Sequence, residues 1–147
     1  MIRALEPGDA ERCDAIIRSL PDWFGNDQGI TECAAAVRSQ AGLVDVADGV
    51  VTGFLTWKRH HPDTAEITWL AVHADQRGAG TGTALVEALV AAAPGLRYLT
   101  VKTLSAACEY EPYEETRAFY RARGFRELIE LDLWGPENPA TLFVRPL

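Results

Sequence analysis

Cysteine is scarce and follows no pairing pattern: Cys13, Cys33 and Cys108 are odd in number and widely spaced. They make no CxxC pair, no zinc spacing and no disulfide framework, so the chain reads as a reduced, intracellular domain. Basic charge is also short. Fourteen Lys+Arg against 21 Asp+Glu leave a net charge of −7 and a pI near 4.9. A surface that acidic repels phosphate backbones, which speaks against nucleic acid as a partner and leaves cationic small molecules and basic peptides open. No apolar run approaches the roughly 18 residues a spanning helix needs. The first seven residues lack the basic-then-apolar pattern of a signal peptide, so a cytoplasmic location without membrane contact is expected. His60, His61 and His73 show no ligand spacing with Cys or Asp, so no metal is expected and all three read as surface residues. What is present is ordinary: 147 residues, 48% hydrophobic and 24% charged, fit one globular domain over residues 1–147.

The patterning alternates strand and helix. Residues 2–5 suggest a short strand, and Asp9 stands at an N-cap position before Cys13, Ile16, Ile17 and Leu20 at helical spacing. Residues 21–26 break that helix, and residues 31–39 read as a second, shorter one. Residues 43–47 and 50–57 flank Asp48-Gly49, the signature of a type I′ hairpin turn. A turn at His61-Pro62-Asp63 precedes a strand over residues 65–72. A glycine-rich turn then opens a helix carrying Ala84, Leu85, Leu89 and Val90, which Pro94-Gly95 ends. Residues 96–104 form a fifth strand, residues 113–123 a fourth helix stopped by Gly124, and residues 125–131 and 141–144 the last strands. The order βααβββαβαββ predicts a mixed α/β domain, antiparallel first, with a β-helix-β unit in the middle.

Arg77-Gly78-Ala79-Gly80-Thr81-Gly82 lies between a strand and a helix. Glycine there lets the chain turn tightly and point successive N–H groups outward, and the positive helix end favours phosphate or pyrophosphate. A plain strand-to-helix connection is the alternative. A Walker loop is excluded because no lysine follows the glycines. A dinucleotide fingerprint is excluded because the spacing is GxGxG in mid-chain.

The turn closely resembles the acyl-CoA pyrophosphate loop of the GCN5-related N-acetyltransferase (GNAT) superfamily, whose pattern Arg/Gln-x-x-Gly-x-Gly/Ala is met by Arg77, Gly80 and Gly82. Phe119-Tyr120-Arg121-Ala122-Arg123-Gly124-Phe125 resembles a second segment of that superfamily. Seven residues before its Tyr, the superfamily often has Asn, where this chain has Tyr113. The resemblance covers essentially the whole chain. It implies a GNAT fold, with about seven strands in one mixed, mostly antiparallel sheet and about four helices. It also implies an acetyl-CoA-dependent N-acetyltransferase acting directly on a primary amine of a small molecule or peptide, as a monomer or homodimer. A non-catalytic acyl-CoA sensor or interaction domain is the alternative.

The resemblance further implies that CoA wedges between the fourth and fifth strands. Its pyrophosphate would lie on Gly78, Ala79, Gly80, Thr81, Gly82 and Thr83 beside Arg77, and its pantetheine arm along Leu70, Ala71 and Val72. Tyr120 would protonate the leaving thiolate. Glu66 resembles the catalytic base of the histone-acetylating branch, with His73 or water as alternatives and a solvated edge carboxylate as the bland reading. Glu109, Glu111, Glu114 and Glu115, interleaved with Tyr110 and Tyr113, read either as a solvated loop and helix start or as an acidic, aromatic rim, led by Glu109 and Glu111, that collects a cationic amine. Trp23, Phe24 and Trp134 fall in connections that commonly face the acceptor in this superfamily, and core packing explains each about equally well.

Overall fold

A computed structural model describes residues 1–147. In chain order the elements are β1 (Ile2–Ala4), α1 (Ala10–Arg18), α2 (Asp27–Ser39), β2 (Ala41–Ala47), β3 (Val50–His61), β4 (Thr64–Val72), α3 (Thr81–Ala92), β5 (Tyr98–Leu104), α4 (Pro112–Ala122), β6 (Arg126–Leu131) and β7 (Ala140–Pro146). This is the expected succession. The strands hydrogen-bond in the order β1-β2-β3-β4-β5-β7-β6. β4 and β5 run parallel, whereas β1–β2, β2–β3, β5–β7 and β6–β7 are antiparallel. No helix is long and apolar enough to cross a membrane.

Local chemistry explains where the elements differ from expectation. α2 begins at Asp27 and is longer than α1, because Asn26 caps it: its Oδ1 accepts the Gly29 N–H at 2.7 Å. Asp9 stands at the N-cap of α1 but does not cap it. Its carboxylate accepts two bonds from Arg3, at 2.8 and 2.9 Å, and one from the Glu6 N–H at 2.9 Å. These bonds, the Arg3 pairing first, hold the Asp9 carboxyl below its usual range. The hairpin turn is as expected, with Asp48 and Gly49 both at positive φ, 52° and 77°. β3, however, continues to His61, so His60 and His61 are strand residues rather than turn residues.

The chain divides into two compact units, Met1–Lys58 with Thr68–Pro94 and Arg59–Ile67 with Gly95–Leu147. In the first, α1 and α2 pack together and bury Cys13, Ile16, Ile17 and Leu20 with Cys33 and Val37 against Val44, Val51, Phe54 and Ala71. α3 lies against β1 and β2 and buries Leu85, Val86 and Leu89. In the second, β5, β7 and β6 form a ladder on which Leu99, Val101, Tyr120, Phe125 and Phe143 are buried.

Gly53 on β3 controls how closely the start of α3 approaches the sheet. A Cβ there would stand 2.9 Å from Thr81 Cγ2 and 3.1 Å from the Ala71 carbonyl oxygen. Gly53→Ala is therefore expected to destabilise the protein by about 1–3 kcal/mol, as overpacking does. The urea midpoint reads this, and an unchanged midpoint would show that Thr81 moves aside without cost.

Candidate active site

The glycine turn belongs to the first unit. Gly78 and Gly80 are left-handed, both with φ of 83°, a conformation that costs L side chains roughly 1–2 kcal/mol. No atom lies within 4 Å of where a Cβ would stand on either, so open space rather than packed protein faces these positions. Gly80 is the N-cap of the 12-residue helix α3 and has no side chain with which to cap it. Arg77, Gly78, Ala79 and Gly80 are exposed, Gly82 and Thr83 half-buried, and Thr81 buried. Open space in front of an uncapped helix start, reached through two left-handed glycines, fits an anionic diphosphate.

The strand entering this turn ends in half-buried Leu70, buried Ala71 and half-buried Val72. The connection between α1 and α2 lies beside it. Trp23 and Phe24 are placed by amide bonds to the Leu20 carbonyl, at 3.1 and 3.0 Å. The Arg77 guanidinium carbon sits 4.4 Å above the Trp23 ring, and the Phe24 and Trp69 ring centroids are 5.8 Å apart. Trp23 thus positions the arginine of the glycine turn, a contact that nothing in the sequence pattern announces. His73 also has a structural task. Its Nδ1 accepts the Asp75 N–H at 3.1 Å, and its own amide donates to the Thr52 carbonyl at 2.9 Å.

In the second unit, Glu66 is only 5% exposed, which rules out a solvated edge carboxylate. Within the ladder it stands opposite Thr100 of β5. His60 Nε2 lies 2.6 Å from its Oε1, and Lys102 Nζ lies 3.4 Å from its Oε2. Neither partner was read from the sequence. A signal existed: the two-residue connection Pro62-Asp63 folds the end of β3 back along the start of β4.

Tyr120, on α4, is 5% exposed. Its ring packs edge-on against Phe119 and Phe125, with centroids 5.2 and 5.4 Å away, and against Phe143 at 6.3 Å. Burial, with a smaller contribution from Tyr113, pushes the phenol far above its ordinary value, so it remains protonated. Glu109 and Glu111 are exposed on the connection into α4, Glu109 in a left-handed conformation with φ of 54°. The nearby Tyr110 and Tyr113 rings are 6.0 Å apart. Trp134 is half exposed in the β6–β7 connection, where its carbonyl accepts from Asn138 Nδ2 at 3.4 Å. Burial pushes the Cys13 and Cys33 thiols up to about 12, which leaves them unreactive. Cys108 Sγ faces the Glu137 carbonyl at 3.5 Å. Nowhere do three or more His, Cys, Asp or Glu side chains gather as a metal site would require.

A seven-stranded mixed sheet, a parallel β4–β5 pair and a glycine turn opening α3 are the architecture of the acyl-CoA-dependent N-acetyltransferases. A family model for the acetyltransferase (GNAT) domain matches residues 38–127, more than half of the chain, and the protein belongs to the GNAT acetyltransferase family. No curated protein matches the sequence. Among solved structures, the chain is similar to a GNAT-family acetyltransferase from Desulfovibrio desulfuricans, with 18% identity and a TM-score of 0.85 over 99% of this chain and 98% of that one. It is also similar to Ard1 from Thermoplasma volcanium, with 20% identity and a TM-score of 0.79 over 100% and 97%. An aminoglycoside 6′-N-acetyltransferase complexed with coenzyme A shares 18% identity and a TM-score of 0.72 over 99% and 96%. At these identities the likeness is one of fold.

Proposed function

We propose that residues 1–147 act as one domain that transfers an acetyl group from acetyl-CoA directly to a primary amine of a small molecule or peptide. The carrying observation is the glycine turn: two left-handed glycines with open space before the uncapped start of α3. Gly78 to Thr83, with Arg77 held over Trp23, would receive the pyrophosphate, and the backbone of Leu70, Ala71 and Val72 the pantetheine arm. When bound, acetyl-CoA supplies an activated acyl group, and the chain must do the rest. It must accept a proton from the ammonium, which has no lone pair until it loses one. It must donate a hydrogen bond to the developing oxyanion, and another to the departing sulfur. Tyr120 serves the sulfur. A phenol pushed so high by burial stabilises a thiolate by donating a hydrogen bond and is not itself ionised beforehand.

The acceptor is read from charge. With a net charge of −7 and exposed Glu109 and Glu111, the amine preferred is a cation, with Trp23, Phe24 and Trp134 as further acceptor contacts. The test is thiol release from acetyl-CoA over an amine panel at low and high salt. Polycationic amines are expected to exceed neutral and acidic ones in kcat/KM, with the advantage shrinking as the Debye length falls from about 10 Å at 0.1 M to about 3 Å at 1 M. Glu109→Gln with Glu111→Gln should raise KM for the cation several-fold more than it alters kcat. A preferred acceptor that is anionic, or one indifferent to salt and to the double change, refutes the acidic rim. Absence of turnover with every amine, when acetyl-CoA nonetheless binds, leaves a non-catalytic acyl-CoA sensor.

A further inference from the structure

Glu66 is badly placed to collect a proton from an amine. Its side chain is 7% exposed, and each carboxylate oxygen faces a basic partner, His60 Nε2 at 2.6 Å and Lys102 Nζ at 3.4 Å. A proton arriving on either oxygen would disrupt one of those contacts. His60 is placed differently. Its side chain is 41% exposed, and with Arg59, His61 and Pro62 it lines a shallow concavity open to solvent. A carboxylate has no hydrogen to give, so the bond of 2.6 Å requires the hydrogen on His60 Nε2. That fixes the neutral ring as the tautomer whose Nδ1 carries a lone pair. The arrangement is the one by which a buried carboxylate orients a histidine base.

Building on the acetyl-transfer reading above, we propose that His60 is the proton acceptor for the amine and that Glu66 is its positioning residue, itself fixed by Lys102. In the step this describes, the substrate ammonium gives one proton to His60 Nδ1. The freed nitrogen lone pair forms the N–C bond to the thioester carbonyl carbon. The C–S bond breaks with its electron pair on sulfur, the second nitrogen-bound proton ends on that sulfur, and the imidazolium returns its proton to solvent. The groups that the structure places at the ring are Glu66 from β4, Lys102 from β5 through the shared carboxylate, and Arg59 and His61, which line the same concavity.

The arrangement makes an unusual demand of Glu66→Gln. Lys102 has only hydrogens to offer, so the amide must turn its oxygen toward Lys102 and its NH2 toward His60. His60 would then accept at Nε2 and carry its hydrogen on Nδ1, which closes the nitrogen that acts as base. Nitrogen-15 correlation spectra of the histidine rings, recorded above the imidazole range, read this directly and need no substrate. The expected result is a hydrogen on Nε2 of His60 in the wild-type protein and on Nδ1 in Glu66→Gln. In kinetics with the best amine of the panel, His60→Gln should lower kcat/KM at pH 7 by roughly 10²-fold or more, the scale for loss of a general base. The deficit should narrow at high pH, where the amine arrives deprotonated. Stabilisation by acetyl-CoA should persist, and His61→Gln should behave as wild type. A wild-type ring carrying its hydrogen on Nδ1, or a His60→Gln protein with the wild-type pH profile, overturns the proposal while the acetyltransferase reading stands. Absence of turnover by the wild-type protein overturns that reading instead, and the proton-acceptor role with it.

Discussion

Gly80→Asp is expected to abolish the rise in Tm that acetyl-CoA gives the wild-type protein. Anything that binds only the native state stabilises it by mass action, about 2.7 kcal/mol at 100 times Kd, or roughly 5–10 °C in a chain of this size. The substitution touches that shift and leaves the fold in place. Gly80 has φ of 83°, where Asp is among the better-tolerated L residues, and no atom lies within 4 Å of the new Cβ. A carboxylate at the N-cap of α3 also complements the helix end. The same features condemn binding. The aspartate would occupy the position proposed for the pyrophosphate and oppose it with like charge. At 4 Å and an effective dielectric constant near 20, one such pair costs about 4 kcal/mol, roughly 10³-fold in Kd. Gly80→Asn keeps the shape and removes the charge, so it separates the two causes and should lose less. Gly80→Asp retaining the full shift at millimolar acetyl-CoA would mean that the turn only joins β4 to α3.

The glycine turn was legible because a backbone conformation there dictates residue type. Positive φ at Gly78 and Gly80 selects glycine whatever the surroundings, so the pattern survives in the sequence. The hairpin turn at Asp48-Gly49 was legible for the same reason. Periodicity supplied the order of the elements because each strand and helix with a buried face must repeat apolar residues along it. Where burial stops, that signal stops. The end of β3, Lys58-Arg59-His60-His61, is polar and largely exposed, so it reads as a turn although its backbone remains in the sheet. The polar start of α2, with Gly29 in its first turn, hid the Asn26 cap in the same way.

The side-chain partners were hidden for a different reason. Glu66 could be singled out by its distance from the turn, but what holds it depends on which residues the strands bring alongside. His60 reaches it from β3, and Lys102 from β5, 36 positions further on in the chain. Nothing in a one-dimensional pattern joins those three. Trp23 shows the same limit. An aromatic in a loop has no periodicity to place it, and only the fold shows that its face is covered by Arg77.

Tyr120→Phe is expected to lower turnover by roughly 10²–10⁴-fold, the range seen when a proton donor is deleted, while acetyl-CoA continues to stabilise the protein. The substitution is informative because the ring already has a structural task. Tyr120 is packed among Phe119, Phe125 and Phe143, and phenylalanine retains those contacts. Stability should therefore change little or rise, since the buried hydroxyl goes and the ring stays. The pH dependence identifies the role. The wild-type phenol lies far above its usual value, so it stays protonated throughout the working range and contributes no alkaline limb of its own. Any acid limb comes from the group that accepts the amine proton, and Tyr120→Phe should lower the whole kcat profile without moving that limb. Leaving-group chemistry supplies the second signature. A thioester whose thiol is more acidic needs less help from a donor, so acetyl esters of progressively more acidic thiols should narrow the gap between Tyr120→Phe and wild type. A turnover number equal to wild type in single-turnover measurements, where chemistry is observed directly, assigns Tyr120 to the core alone.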